Sequence, residues 1–256
     1  MTDPNIGQKL ANRYELMELI GQGAMGKVYR AEDTLLGGVI VAVKFLSQTL
    51  LSGKMRDRFV TEATTCAQLG QNSIHVVRVT DYGVNSDDIP FYVMEYLQGE
   101  SLSLLISQKA LPIPRFLGIT RQVCLGLKSA HDGIRIRGYD RPVPIIHRDI
   151  KPQNLIAPPD NQRVVLVDFG ASKIASGTAL ARTGTVIGSA GYLAPEQAMG
   201  KAVFSSDLYS LGLTAIFLLC GKLPQDIPAD PRTGKLMWRS LVNLQDRQLV
   251  EVLDKA

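Results

Sequence analysis

Hydrophobic and polar residues alternate through much of the first third of the chain, which is the pattern of half-buried β-strands. Segments 14–20 and 27–31 flank a cluster of glycines, and the β-branched run at 39–46 follows two more. Further strand-like segments lie at 76–82 and 91–94. The pattern predicts a meander of antiparallel hairpins.

A helical period appears at 52–69, where Phe59, Cys66 and Leu69 form one apolar stripe. Glu62 lies in the same stripe. Because a carboxylate on the inward face of a helix needs a compensating partner, we expect Glu62 to pair with a cation.

The pattern breaks at Gln98, Gly99 and Glu100, which we interpret as a hinge between two lobes. Helical periods dominate after it, at 115–131 and 206–220, with a short strand near 164–167. The chain is therefore predicted to be of the α+β class.

Composition sets looser bounds. The chain has 256 residues, 45% of them hydrophobic and 20% charged, which is enough for one large domain or two lobes. Its net charge of +4 is dispersed along the chain, so we expect no nucleic-acid binding.

The longest apolar run, LGLTAIFLLC, is too short to span a bilayer, so we expect no membrane segment in this chain and a cytoplasmic location. Its three cysteines lack metal-ligand spacing, and we expect buried thiols.

Two motifs carry the chemistry: the octet HRDIKPQN, beginning at His147, and DFG, beginning at Asp168. Asp149 offers a proton acceptor, Lys151 a cation that neutralises phosphate, and Asn154 and Asp168 two oxygen ligands for a metal ion. Phosphoryl transfer from a nucleotide needs these groups, because its catalysis consists mainly of positioning and charge neutralisation.

The glycine cluster IGQGAMGKVY contains Gly21, Gly23 and Gly26. A dinucleotide-binding fingerprint would require a helix next, but a strand-like segment follows. A Walker loop would require a hydroxyl residue at Val28. A glycine-rich hairpin that approaches phosphates and a plain tight turn both remain open.

Lys44, in VAVK, would lie on a strand beside that hairpin, and Glu62 offers the counter-charge that would direct its ammonium towards the α- and β-phosphates. A salt bridge unrelated to nucleotide is the alternative.

The segments GQGAMGKV and VAVK, Glu62, and then HRDIKPQN, DFG and APE follow one another in the order seen in eukaryotic-like, or Hanks-type, serine/threonine protein kinases. The chain resembles the bacterial members of this family most. The resemblance implies a two-lobed fold: an N-lobe over about 14–97, with an antiparallel sheet and one helix, and a mainly helical C-lobe over about 98–256. Residues 1–13 would form an N-terminal extension.

The resemblance implies an ATP-dependent enzyme that phosphorylates serine or threonine hydroxyls of proteins. Asp149 would be the catalytic base and Lys151 would neutralise the γ-phosphate. Asn154 and Asp168 would bind Mg²⁺, with Mn²⁺ as an alternative. Ser189 would brace Asp149 and Lys151. Lys44 and Glu62 complete the catalytic set.

The family also implies an adenine pocket and a regulatory stack of side chains. The nucleotide site would comprise Ile20, Gly21, Gly23, Gly26, Val28, Ala42, Lys44, Met94, Glu95, Leu97 and Leu155. The stack would comprise Cys66, Val79, Phe169 and His147, resting on Asp207.

The segment between DFG and APE corresponds to the activation segment of the family, and Arg148 before the catalytic aspartate is typical of kinases controlled by phosphorylation there. We expect autophosphorylation at Thr183 first and Thr185 second, by self-association in trans.

Two features depart from the family pattern. Residues 132–146 form a longer link than usual, with Arg135, Arg137 and Arg141, and would be a surface excursion or a docking site for an acidic partner. The family also leads us to expect further helices beyond Ala256, including an arginine that pairs with Glu196. If nothing replaces that arginine, a largely buried carboxylate would be unpaired, at a cost of about 3–5 kcal/mol.

Three classes of function therefore remain: an active protein kinase, a truncated pseudokinase or nucleotide-binding scaffold, and a small-molecule phosphotransferase. The filled catalytic positions favour the first, and the long segment that ends in APE argues against the third.

Overall fold

A computed structural model describes residues 3–23, 25–106, 110–136, 138–158, 162–174, 188–189 and 191–255. The chain divides into two compact units. The first comprises Met1–Asn72 and Val76–Gln98, and the second comprises Ser73–His75 and Gly99–Ala256.

The first unit is built on a six-stranded antiparallel sheet with one long helix. In chain order its elements are β1 (Lys9–Leu10), β2 (Tyr14–Gly23), β3 (Gly26–Asp33), β4 (Val39–Leu46), α1 (Gly53–Asn72), β5 (Val79–Val84) and β6 (Pro90–Glu95). The strand order across the sheet is β1-β2-β3-β4-β6-β5. The predicted meander and helix are confirmed, and the limits of β4 are those expected from its β-branched run.

Aromatic side chains fill the core of this sheet. The ring centroid of Phe45, on β4, lies 5.6 Å from that of Tyr29 on β3 and 5.7 Å from that of Phe91 on β6. All three residues are buried. Burial alternates along most of β3, whereas β4 is buried continuously from Val41 to Leu46, as expected for a central strand of apolar sequence.

The residues before Tyr14 pack against the glycine-rich hairpin. Lys27 Nζ lies 2.6 Å from Asp3 Oδ2, and this hydrogen bond lowers the pKa of the Asp3 carboxyl. The side-chain amide of Asn5 donates to the hydroxyl of Tyr29 at 2.8 Å. Residues 3 and 5 are thus attached to β3, and residues 9–10 of the predicted extension form β1 of the sheet.

The second unit is mainly helical. Its elements are β7 (Glu100–Ser101), α2 (Leu102–Ile106), α3 (Ile113–Asp132), β8 (Ile145–Ile146), β9 (Leu155–Ala157), β10 (Val165–Leu166), β11 (Lys173–Ile174), α4 (Pro195–Ala198), α5 (Phe204–Cys220) and α6 (Arg247–Leu253). Small sheets pair β10-β9-β7 and β11-β8. Helix α5 is buried on nearly all sides, which explains its almost continuous apolar sequence.

Within the described ranges, no helix is both long enough and apolar enough to cross a bilayer. The cysteine prediction is only partly right: Cys66 is buried, Cys220 is half-buried, and Cys124 is exposed on α3. Cys124 directly follows the buried Val123, and adjacent residues of a helix point about 100° apart, so Cys124 lies off the buried face. Composition alone could not distinguish these cases.

Gly26 closes the glycine-rich hairpin opposite Gly23 and pairs with Leu46 on β4. Its φ is 153°, and a Cβ added there would lie 1.8 Å from the carbonyl oxygen of Phe45. Since that oxygen belongs to the backbone of a central strand, neither group can move away cheaply.

We expect Gly26→Ala to destabilise the first unit by about 1–3 kcal/mol, the usual range for a strained backbone position. Gly23→Ala is the matched control, because a Cβ there would meet no heavy atom within 4 Å. Urea unfolding of both variants measures the difference. Equal losses of stability would contradict the steric explanation.

Candidate active site

The predicted ion pair between strand and helix is present in the first unit. Lys44 Nζ, from β4, lies 2.7 Å from Glu62 Oε1 on α1, and both residues are buried. The hydroxyl of Tyr92, on β6, donates to the same oxygen at 2.8 Å. Glu62 thus has the partner that its inward position required.

The sheet register aligns most of the residues expected to bind nucleotide. Val28 on β3 pairs with Lys44, and Ala42 on β4 pairs with Met94 on β6. The backbone N–H of Glu95 donates to the carbonyl of Arg78 at 3.0 Å, so this N–H already has a hydrogen-bond partner within the first unit.

The remaining members of this set are distributed along the same elements. Ile20, Gly21 and Gly23 lie on β2, Gly26 begins β3, and Leu97 follows β6. Leu155 belongs to the second unit, where it begins β9 and is fully buried.

In the second unit, side chains expected to be catalytic converge on the carboxylate of Asp149. The hydroxyl of Ser189 donates to Oδ1 at 2.8 Å, and the side-chain amide of Asn154 donates to Oδ2 at 2.9 Å. Lys151 Nζ lies 2.9 Å from Oδ2 and also donates to the Ser189 oxygen at 2.5 Å. The expected contacts of Ser189 with Asp149 and Lys151 are present, and Ser189 and Asn154 together hold the two oxygens of the Asp149 carboxylate.

Asn154 and Asp168 lie at one end of the β9–β10 hairpin. The backbone carbonyl of Asn154 accepts from Val167 N–H at 3.0 Å, next to Asp168. Because the Asn154 amide nitrogen donates to Asp149, the nitrogen is directed there and the amide oxygen points elsewhere. An amide oxygen and a carboxylate are ligands suited to a hard divalent cation, so these residues fit the expected metal.

A buried carboxylate holds the backbone that precedes Asp149. Asp207, on α5, accepts from the backbone N–H of His147 at 2.9 Å and from that of Arg148 at 2.8 Å. The ring of His147 packs on that of Phe169, with centroids 4.4 Å apart. The part of the expected regulatory stack that lies in this unit is therefore assembled on Asp207.

Gln197 was not identified from the sequence. Its side-chain amide donates to the carbonyl of Arg148 at 2.6 Å. Arg148 has a φ of 68°, a left-handed conformation that is costly for a residue with a side chain. Gln197 and Asp207 together hold that strained backbone from both sides of its α-carbon. No local pattern in the sequence links Gln197 to Arg148. The signal that marks Gln197 is its position two residues after the proline of APE.

Glu196 corrects another prediction. It is only half-buried, and the hydroxyl of Ser206 donates to its Oε1 at 2.5 Å. The same hydroxyl accepts from the N–H of Val203 at the start of α5. Glu196 is therefore less buried than expected, and Ser206 supplies a hydrogen bond to it within this chain. The expected arginine beyond Ala256 stays a prediction.

Thr183, Thr185 and Arg137 lie outside the described residues. Arg135 and Arg141 are exposed in a loop closed by a β-bridge between Ile134 and Val143. The predicted surface excursion is thus present.

Comparison with known proteins agrees with this arrangement. Residues 14–252 match the family model described as protein kinase domain. The chain is 52% identical over 219 residues to serine/threonine-protein kinase A of Synechocystis sp., covering 84% of this chain and 42% of that protein. It is 36% identical to serine/threonine-protein kinase C of the same organism, covering 96% and 46%. The chain thus spans less than half the length of these relatives.

The crystal structure of the Mycobacterium tuberculosis PknI kinase domain is also similar, with a TM-score of 0.67 and 28% identity over all of this chain and 89% of that one. This chain belongs to the protein kinase domain family and has its fold, with the bacterial Hanks-type kinases among its relatives. The family uses ATP and a divalent metal ion.

Ser189→Ala should reduce turnover about ten- to hundredfold, because it removes the hydroxyl that links Lys151 to Asp149 and a hydrogen bond to a charged group is worth about 1.5–3 kcal/mol. Ser189→Thr retains the hydroxyl and should keep most of the rate. Steady-state phosphorylation of a generic basic protein measures both variants. Similar rates for the alanine and threonine variants would show that this hydroxyl is dispensable.

Proposed function

We propose that this chain is the catalytic domain of a serine/threonine protein kinase, which transfers the γ-phosphoryl group of Mg-ATP to protein hydroxyls. The observation that carries the proposal is the convergence of Lys151, Asn154 and Ser189 on the carboxylate of Asp149. These contacts fix the direction of the carboxylate. A group that orients an incoming hydroxyl needs such a fixed direction.

Each unit supplies a different part of the chemistry. In the first, the buried Lys44–Glu62 pair directs an ammonium to the α- and β-phosphates. In the second, Asp149 accepts the proton of the attacking hydroxyl and Lys151 neutralises charge on the transferred group. Asn154 and Asp168 would hold Mg²⁺, which would neutralise phosphate charge when bound.

We also propose a kinase domain that begins at about Tyr14, an extension over residues 1–13, and a cytoplasmic location, because ATP is the phosphoryl donor. The N-lobe would span about 14–97 and the C-lobe about 98–256. The match to the family model over residues 14–252 supports the first boundary.

Asp149→Asn should retain Mg-ATP binding but lower turnover about 10² to 10⁴-fold, the usual contribution of general acid–base catalysis. Transfer of radiolabelled γ-phosphate to a basic protein measures turnover, and isothermal titration calorimetry measures binding. Asp132→Asn is the matched control, because Asp132 is an exposed residue on α3 that pairs with Lys128.

Parental turnover in Asp149→Asn would remove Asp149 from the role of base. A parental chain that binds Mg-ATP without transferring phosphate would instead favour the nucleotide-binding scaffold. Transfer to a metabolite but not to protein would favour a small-molecule phosphotransferase.

We propose that Thr183, and then Thr185, is autophosphorylated in trans. Mixing active enzyme with the Asp149→Asn chain should place phosphate on Thr183 of the inactive partner, as read by phosphopeptide mapping. Active enzyme that carries no phosphate at either threonine would refute both assignments.

A further inference from the structure

The hydroxyl of Tyr92 contacts the carboxylate that holds Lys44. It donates to Glu62 Oε1 at 2.8 Å, and Lys44 Nζ approaches the same oxygen at 2.7 Å. All three residues are buried. One carboxylate oxygen therefore receives two hydrogen bonds, one from a strand ammonium and one from a phenol.

The sheet register places Tyr92 beside Lys44. The two residues are direct partners across the β4–β6 pair, and Lys44 Nζ lies 5.7 Å from the centroid of the Tyr92 ring. Cross-strand neighbours on one face keep a fixed separation. The phenol and the ammonium consequently project from the same face of the sheet towards α1.

Tyr92 also contacts the helix at a second point. Its ring lies 5.0 Å, centroid to centroid, from that of Phe59, which precedes Glu62 by three residues and so shares its face of α1. A displacement of α1 would disturb this ring contact and the hydrogen bond to Glu62 together.

The three side chains of this cluster differ in conformational freedom. Lys44 and Glu62 are long and flexible, and each loses much rotamer freedom when it is ordered. A tyrosine has two side-chain torsions, and Tyr92 is held by burial and by the Phe59 ring. Its hydroxyl is the rigid donor of the cluster.

We infer that Tyr92 is a positioning residue for phosphoryl transfer: its hydroxyl fixes Glu62 Oε1, and through it the ammonium of Lys44, in the orientation that receives the phosphates. The inference rests on the proposed function. Its signal in the sequence is a phenol within the otherwise apolar run PFYVM.

Tyr92→Phe should lower kcat/KM for Mg-ATP about five- to twentyfold, since it removes one hydrogen bond to a charged group and keeps the ring. In a Glu62→Ala background, the same substitution should change kcat/KM less than twofold, because the group through which Tyr92 acts is absent. Tyr82→Phe is the matched control: Tyr82 pairs with Tyr92 across β5–β6 and its ring lies 6.4 Å from that of Phe59, but its side chain is exposed.

A purely structural role is tested separately. Thermal unfolding establishes that all variants are folded at the assay temperature, and 4-aminophenylalanine at position 92, which restores an N–H donor, should recover most of the lost activity. An unchanged kcat/KM in Tyr92→Phe, or an equal loss with and without Glu62, would overturn the inference.

The affinity for Mg-ATP, measured by calorimetry, separates this inference from the proposed function. If the parental chain binds Mg-ATP but transfers no phosphate, the proposed function fails, and a weaker affinity in Tyr92→Phe still supports the role of Tyr92. Equal affinities would overturn that role, and so would an absence of Mg-ATP binding by the parental chain.

Discussion

The geometry of the segment that leads to Asp149 depends on one fully buried carboxylate, that of Asp207. It lies in the first turn of α5, where the helix dipole favours negative charge, and it accepts hydrogen bonds from the backbone of His147 and Arg148 and from His131 Nε2. A buried carboxylate without such donors would be too costly to ionise. The need to satisfy Asp207 therefore determines where the chain before Asp149 must run.

The strain at Arg148 follows from that constraint. Its N–H must point to Asp207 while its carbonyl receives Gln197, and these two requirements are met with a left-handed backbone. Asp168, at the start of DFG, is also left-handed, with a φ of 65°. Strained backbone persists only where the surroundings over-determine it, and here hydrogen bonds do so at Arg148. As a result, the direction of the Asp149 side chain is fixed.

Much of this arrangement could be predicted from the sequence, because it depends on patterns among residues that are close together along the chain. The β-branched run predicts β4, and the inward position of Glu62 predicts a cationic partner. Val76 and Val77 show where local patterns fail: both are buried, yet they precede β5, because burial alone does not distinguish a strand from a segment packed beneath other elements. The partner of Gln197 depends on a contact between residues 49 positions apart, for which no periodicity exists.

The hydrogen bond from Ser189 to Asp149 closes a loop of chain between residues 40 positions apart. Proteins open locally with free energies far below that of global unfolding when a segment is held by few contacts. Ser189 belongs to the segment that precedes APE, whereas Asp149 is tied to the interior through Arg148 and Asp207. The N–H of Tyr192 donates to the backbone carbonyl of Ser189 at 3.1 Å. Hydrogen exchange at that N–H would therefore report the release of the Ser189 segment separately from unfolding of α5, so that the order of the proposed catalytic centre and the stability of the domain are two different quantities.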